Sequence, residues 1–309
     1  MNTRIAAALT HGERCRNICG ANWLAHLNTI KADAVDSKHD IHTSRVHYIF
    51  KRGKPYIWVP EEDMHNTNLV IDERGSLSIS NIVPGPLMRL LRSIRKFLPR
   101  VALAGDIIPL DDDKVQKITE SLRESVLSEH ETICQASYAV SALLSSASRN
   151  CTSRGESLQE IVDQSDKYAV YKFNIRSCTY VDGSGVAHDL EFNEVDAPKV
   201  DPLLTYSAKL IDGINQSQAR RRALMLFCFE YYSTVARDAL MLSIDHNGFD
   251  ILGKVPEGAN QGSPTQQYVW KEFRFTFKEV ARDVETFCRN LVDLEEETLR
   301  SIKSYSGLG

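Results

Sequence analysis

Two β-rich runs, Val46 to Phe50 and Tyr56 to Val59, flank the tetrapeptide Lys51-Arg52-Gly53-Lys54. β-branched and aromatic residues on both sides of a short Gly-containing turn signal a hairpin, and a hairpin commits the chain to antiparallel sheet. The same period of two returns further on. Leu77 and Ile79 alternate with serines in Ser76 to Ser80, and Tyr171, Phe173 and Ile175 alternate with Lys172, Asn174 and Arg176. Val101 to Leu103 and Ile107-Ile108 carry strand character across Gly105, and Gly183-Ser184-Gly185 marks a turn.

Helical spacing fills the intervals. Glu61 to Asp72 predicts a short helix with Met64, Leu69 and Ile71 inward. After Pro84-Gly85-Pro86, Leu87, Leu90, Leu91, Ile94, Phe97 and Leu98 recur at helical spacing, with Arg89, Arg92, Arg95 and Lys96 opposite and Pro99 as the stop. Asp111-Asp112-Asp113 precedes Val115, Ile118, Leu122 and Val126, so these carboxylates are expected to cap a helix. Ala136 to Asp166 is expected to be helical, with a loose insertion around Asn150 to Glu156.

The acidic, proline-containing segment between Phe192 and Pro202 is expected to separate two domains. Beyond it, Leu203 to Ile214 and Gln218 to Arg237 predict helices, and Met241 to Ile244 with Phe249 to Leu252 predict a hairpin around His246-Asn247-Gly248. Val269 to Phe277 adds a strand. Lys278 to Ser304 adds a helix with Val280, Val284, Phe287, Leu291 and Leu294 on one stripe. The resulting division is an N-terminal segment 1–40, a first domain 41–197 with the basic amphipathic helix 86–99 inserted, and a second domain 198–309.

Composition excludes several classes. With 309 residues, the length suits about two domains. A hydrophobic fraction of 42% argues against wholesale disorder, and a net charge of −4 against a general nucleic-acid binder. The longest apolar run, Ala223 to Phe229, is far short of the roughly 20 residues of a membrane-spanning helix. Seven cysteines without a CxxC pair give no zinc-finger spacing, and Cys228 and Cys288 sit in apolar helical patterns that predict buried thiols. The absence of a secretory apolar segment fits a reducing compartment. Arg4, Arg14 and Arg16 against the single acid Glu13 have the composition of a transit peptide. No GxSxG, HExxH, P-loop or Rossmann pattern supports hydrolytic or nucleotide chemistry.

The order of these elements, with certain local strings, resembles the flavin-binding split-barrel superfamily that includes the pyridoxamine phosphate oxidases. It is nearer to the HugZ-like heme-utilisation branch and to plastid proteins related to glutamyl-tRNA-reductase-binding protein. The strings are Arg45 to Val59, Met64-His65-Asn66-Thr67-Asn68 running into Arg74-Gly75-Ser76-Leu77-Ser78, Arg100 to Asp106, and Tyr168 to Gly185. In the second half they are Leu210 to Asn215, Met241 to Gly248 and Phe273 to Phe277. The resemblance implies an α+β fold, a split β-barrel followed by a small α/β domain, assembled as a homodimer with its ligand between subunits. Two positions depart from the pattern. Thr67 stands where a basic residue usually grips a flavin phosphate, and Asn215-Gln216-Ser217-Gln218 stands where Asn-x-x-His is common.

Heme and FMN are therefore both candidate cofactors, beside none at all, and no metal-ligand set is identified. The candidate cofactor-binding residues are His42, Ser44, Arg45, Lys54, His65, Asn68 and His188, with His65 and His188 as the histidines to test as axial ligands. No catalytic residue emerges. The expected function is a heme- or tetrapyrrole-linked binding or regulatory protein, with an FMN-dependent oxidoreductase or a heme-degrading enzyme as the alternative. A tetrapyrrole-pathway enzyme is the expected protein partner. Helix 86–99 is a candidate for peripheral membrane contact. The implied location is a plastid if the host is a plant, and the cytoplasm otherwise.

Overall fold

The hairpin forms where Arg52 (φ 49°) and Gly53 (φ 72°) both take the left-handed conformation, the geometry of a two-residue turn that follows strand twist. The computed structural model describes residues 9–33, 40–81, 83, 85–148, 151, 154–191, 194, 201–257 and 267–306. The extreme N-terminus with Arg4, the proposed boundary between 192 and 200 and part of the loose insertion after 149 lie largely outside the described residues. The hairpin strands are β2 (Ile41–Lys51) and β3 (Lys54–Pro60).

Six antiparallel strands close into a barrel. Besides β2 and β3 these are β1 (Leu24–Ile30), β4 (Arg74–Ser80), β5 (Arg100–Pro109) and β6 (Tyr168–Val181). Their order is β3-β2-β1-β4-β5-β6, and β6 returns to pair with β3, Ile57 opposite Tyr171. A short strand β7 (Ala187–Leu190) extends the sheet beyond β6. The alternation read in the sequence sets the interior: Leu27, Val46, Tyr48, Ile57, Leu77, Leu103 and Phe173 share one buried cluster. Strand β1 belongs to the segment before residue 41 and runs between β2 and β4.

Helix α1 (His11–Ala21) plugs the barrel end where β1 begins. Cys15, Ile18 and Cys19 join the interior cluster, and Tyr48 Oη donates to the Cys19 carbonyl at 2.8 Å. The other end is covered by α2 (Met64–Ile71), which buries His65, Asn68 and Leu69. Met64 and Ile71, expected inward, are exposed instead. Polar residues take the inward face because the groups they meet there, Thr29 and the Ala32 amide, are polar. After β4 comes α3 (Gly85–Ser93), the expected basic helix, which ends before Phe97. Outside the barrel, α4 (Asp112–Gln135) and α6 (Arg154–Asp163) pack Ile118, Leu122, Leu158 and Ile161 on Trp58 and Val170. Asp111 does stand at the N-cap of α4, but its carboxylate pairs with Lys114 rather than with a helix amide.

The second unit is the sheet β8 (Asp238–Asp245), β9 (Gly248–Pro256) and β10 (Tyr268–Thr276), with α7 (Ser207–Gln216), α8 (Gln218–Tyr232) and α9 (Val284–Ser306). The Asn-Gly signal holds: His246 and Asn247 form the two-residue loop between paired Asp245 and Gly248. Cys228 and Cys288 are buried free thiols, as expected. Two helices from the first half join this core, α3 through Leu87 and Leu91 and α5 (Tyr138–Ser145) through Val140, Leu143 and Leu144. Gly213 permits the contact of α5 with α7, since a Cβ there would lie 2.2 Å from the Leu143 carbonyl oxygen.

The leucines of the inserted helix are thus already covered. The apolar stripe expected to meet a membrane is spent on an internal core, while Arg89, Arg92 and Arg95 remain solvated. Leu91→Ala is expected to cost about 2–5 kcal/mol of stability in urea unfolding. Phe97→Ala, at a side chain 63% exposed, should change it by less than about 1 kcal/mol.

Candidate ligand site

Alternation along β2 decides which candidate residues can meet. His42 and Ser44 share the face of Val46 and Tyr48, which point into the barrel, and Arg45 points the other way. At the barrel end both are held by Asp63, the N-cap of α2. Ser44 Oγ donates to Asp63 Oδ2 at 2.9 Å, and His42 Nε2 lies 3.1 Å from Asp63 Oδ1. An ionised carboxylate only accepts, so that ring nitrogen carries the proton. Burial alone would raise the Asp63 carboxyl, but hydrogen bonds from the His65 amide and Ser44 outweigh it and hold the group below its ordinary range.

One turn into α2 the network becomes fully internal. Asn68 Oδ1 accepts from the Ala32 amide at 2.9 Å, which fixes the amide so that Nδ2 donates to Thr29 Oγ1 at 2.9 Å. Thr29 Oγ1 also meets His65 Nδ1 at 2.7 Å. His65 is fully buried, and desolvation pushes its pKa down to about 4, so the ring is neutral. Its second nitrogen, Nε2, is buried without a partner among the described residues.

The remaining candidates lie elsewhere. Arg45 stands opposite His26 and lines a separate cavity of about 400 Å³ with Met88 and Ser157. Lys54 sits at the hairpin tip opposite Lys51, which is nine residues along β2 from His42 and so roughly 30 Å away at a strand's rise. His188 is on β7, where Nε2 lies 3.1 Å from Asp182 Oδ2 and the ring packs at a tilt against His11, 3.9 Å between centroids. It braces the turn after β6. The structure therefore joins His42, Ser44, His65 and Asn68, and leaves Arg45, Lys54 and His188 apart.

A cleft of about 440 Å³ between the barrel and the second unit was not read from the sequence. Its apolar walls come from both sides: Ile18 of α1, Leu91 of α3, Phe97 and Leu98, then Leu204, Ile211 and Ile244. Cross-strand pairing puts a polar row on its floor. Ser243 and Arg274 are both register partners of Asp250, and Ser243 Oγ donates to the Asp250 carboxylate. Asp245 completes the set, 2.6 Å from the Arg274 guanidinium. Lys96 on the rim pairs with Glu272 at 2.6 Å. Arg14 donates from Nε to the Leu9 carbonyl at 3.2 Å and, among the described residues, makes no ion pair. Asn-Gly at the hairpin and the polar slot of Arg274 between Phe273 and Phe275 were the available signals for this floor.

The two departures read from the sequence are both on the surface. Thr67 is exposed, and Gln218 is exposed beside Arg221 at the start of α8. Asn215 is structural: its side-chain amide exchanges two hydrogen bonds with the Met241 backbone, at 2.7 and 2.9 Å.

No protein-family model matches the sequence, and no curated protein matches it. Among solved structures, the chain is similar to a heme binding protein from Mycobacterium smegmatis, with 17% identity and a TM-score of 0.53 over 96% of this chain and all of that one. The chain is a split barrel with a small α/β domain. At such identity the likeness is one of fold. Looser overlays join it to the protein Atu2129 of Agrobacterium tumefaciens, with 14% identity, 95% of this chain, all of that one and a TM-score of 0.38. Campylobacter jejuni ChuZ gives 13% identity, 55% of each chain and a TM-score of 0.36.

The cleft floor makes a paired prediction. Asp245 is the nearer partner of a largely buried guanidinium, so Asp245→Asn should cost about 3–5 kcal/mol. Burial raises the Asp250 carboxyl above its ordinary value, with Arg274 only partly opposing. The native state then holds that proton longer than the unfolded chain, and stability falls as pH rises through the interval between the two values. Asp250→Asn should remove that fall. Its stability relative to the unsubstituted protein should climb over the same interval and stay level above it, as urea unfolding across about pH 4 to pH 7 would show.

Proposed function

We propose that the protein binds a tetrapyrrole in the cleft between its two units, as a carrier or regulator rather than as a catalyst. The observation that carries this reading is the cleft itself: apolar walls from both units, with the guanidinium of Arg14 at one side in no ion pair among the described residues, its charge acting on Asp250 across the cleft. A porphyrin needs an apolar slot for the ring and cations for its propionates, and about 440 Å³ lies within the size range of small-molecule sites. The M. smegmatis protein of similar fold is described as heme binding, which supports the same ligand class here. Among the described residues no histidine lines the cleft, which favours recognition of ring and carboxylates over chemistry at an iron.

The flavin alternative fares less well on the residues present. A flavin phosphate needs cations and free hydroxyls, whereas His42 and Ser44 converge on a carboxylate, Asp63. The usual basic position on α2 is Thr67, which brings no charge.

The expected homodimer is supported by α2, which turns apolar side chains outward. Val70 is 82% and Ile71 70% exposed, and Met64 is exposed two turns before Ile71 on the same face. A second copy covering these side chains would bury them, and a charge there should oppose it. Val70→Asp is therefore expected to shift the protein from dimer to monomer in sedimentation velocity.

Absorbance titration with hemin tests the ligand class. A saturable Soret shift at one equivalent is expected, weakened roughly 10-fold or more in Arg14→Ala, the scale of one charged hydrogen bond. His65→Ala and His188→Ala should leave the shift in place, because neither ring lines the cleft. Uptake of FMN with no response to hemin would overturn the assignment.

A further inference from the structure

The cleft leaves the barrel-end network unused, and that network holds a buried group with no explanation in the fold. One ring nitrogen each of His42 and His65 and one carboxylate oxygen of Asp63 lie within 4.8 Å of one another. The two imidazoles are 4.5 Å apart between centroids. His65 Nε2 is fully enclosed and has no hydrogen-bond partner among the described residues, although a buried polar atom left so costs about 1–3 kcal/mol.

The tautomers of His65 narrow what would satisfy it. With the proton on Nε2, the ring presents a buried donor to no acceptor. With the proton on Nδ1, the ring donates to Thr29 Oγ1, whose other lone pair takes Asn68 Nδ2–H, and Nε2 offers a free pair of electrons. The second arrangement is that of a metal-bound histidine, oriented through its other nitrogen by a hydroxyl itself fixed by an amide. His42 and Asp63 both keep some contact with solvent, so a fourth ligand position would open to water.

We propose that His42, Asp63 and His65 form a binding site for a divalent first-row transition metal, zinc by its ligand chemistry. Two imidazoles and one carboxylate with a position left open are a donor set zinc accepts in tetrahedral geometry. Metal–ligand bonds of about 2.0–2.2 Å place tetrahedral ligand atoms about 3.3 Å apart, and His42 Nε2 and Asp63 Oδ1 already stand at 3.1 Å. On binding, the proton of His42 moves from Nε2 to Nδ1, and Asp63 exchanges a hydrogen bond for a metal bond. The second cluster of this kind, Asp201, Asp245 and His246, is different. The Asp201 carboxylate takes the Leu203 and His246 amides and the His246 ring, and Asp245 is neutralised by Arg274, so no ligand is wanted there.

The test uses the tag-free full chain, stripped with a chelator and titrated with Co(II) as a visible reporter. A ligand-field band saturating at one equivalent and erased by Zn(II) is expected. His42→Ala should abolish the band while leaving the far-ultraviolet circular dichroism unchanged, since His42 is at the solvent edge. Thr29→Val should weaken Co(II) binding about 10–100-fold, the effect of losing an orienting partner. His246→Ala should leave it unchanged. The site is overturned if no band forms, if the band survives His42→Ala, or if it is lost in His246→Ala. Because the cleft and this network share no residue named in either, hemin binding with no Co(II) band, or the reverse, separates the two assignments.

Discussion

Closure of the barrel by β6 is the constraint on which the rest depends. Its fourteen residues pair with β5 along ten positions, with β3 over Tyr168 to Lys172 and with β7 beyond Ser177. More than 100 residues separate β3 from β6 in the chain, so this is the pairing with the largest loop to close. Once it forms, no strand of the ring has a free edge, the alternate side chains have one enclosed space to fill, and only the two ends stay open. The ends are then closed by α1 and α2, and each closing helix creates a candidate site at its rim. The α1 end adjoins the cleft, through Arg14 and Ile18. The α2 end holds the histidine pair.

The two ends differ in how their polar groups are balanced. Around the cleft, carboxylates outnumber cations, but Asp245 and Asp250 share Arg274, Glu272 holds Lys96, and Asp182 holds His188. The one carboxylate charge that Arg274 leaves uncovered, on Asp250, faces Arg14, which makes no closer ion pair among the described residues. At the α2 end the balance comes from neutral donors and one carboxylate, and what is left over is a lone ring nitrogen. A site is more informative in what its neighbours leave unsatisfied than in the inventory of residue types around it.

Much of the fold could be read from local pattern, because the strands alternate cleanly and both hairpins carry turn residues suited to positive or tight backbone conformations. What could not be read was long-range. Strand β1, Leu-Ala-His-Leu-Asn-Thr-Ile, alternates only weakly, since Asn28 and Thr29 are polar and Thr29 is nonetheless buried against His65. The spacing of α2 favoured Met64 and Ile71 for its inner face, and the polar partners at the barrel end chose His65 and Asn68 instead. Among the candidate site residues, the period of two along β2 separates His42 and Ser44 from Arg45 in advance. Nothing in the sequence brought Asp63 to them: the helix was expected from Glu61, and Asp63 proves to be the N-cap of one that starts at Met64. The cleft was invisible for the same reason as β1: its walls come from α1, α3, the β6–β7 turn and β8, which meet only after the barrel has closed.

The helices α3 and α5 have a mechanical consequence. The chain leaves the barrel core for the other core before α3, returns after it, leaves again before α5 and returns again, and crosses a last time after β7. Two bodies joined by one linker can swing about it, and relative motion is their default. Two bodies stitched at several separated points, with Leu87, Leu91, Leu143 and Leu144 of one half embedded in the core of the other, have no common hinge axis. Whatever enters the cleft is then met by walls already in place, because two bodies held at several points do not part like jaws.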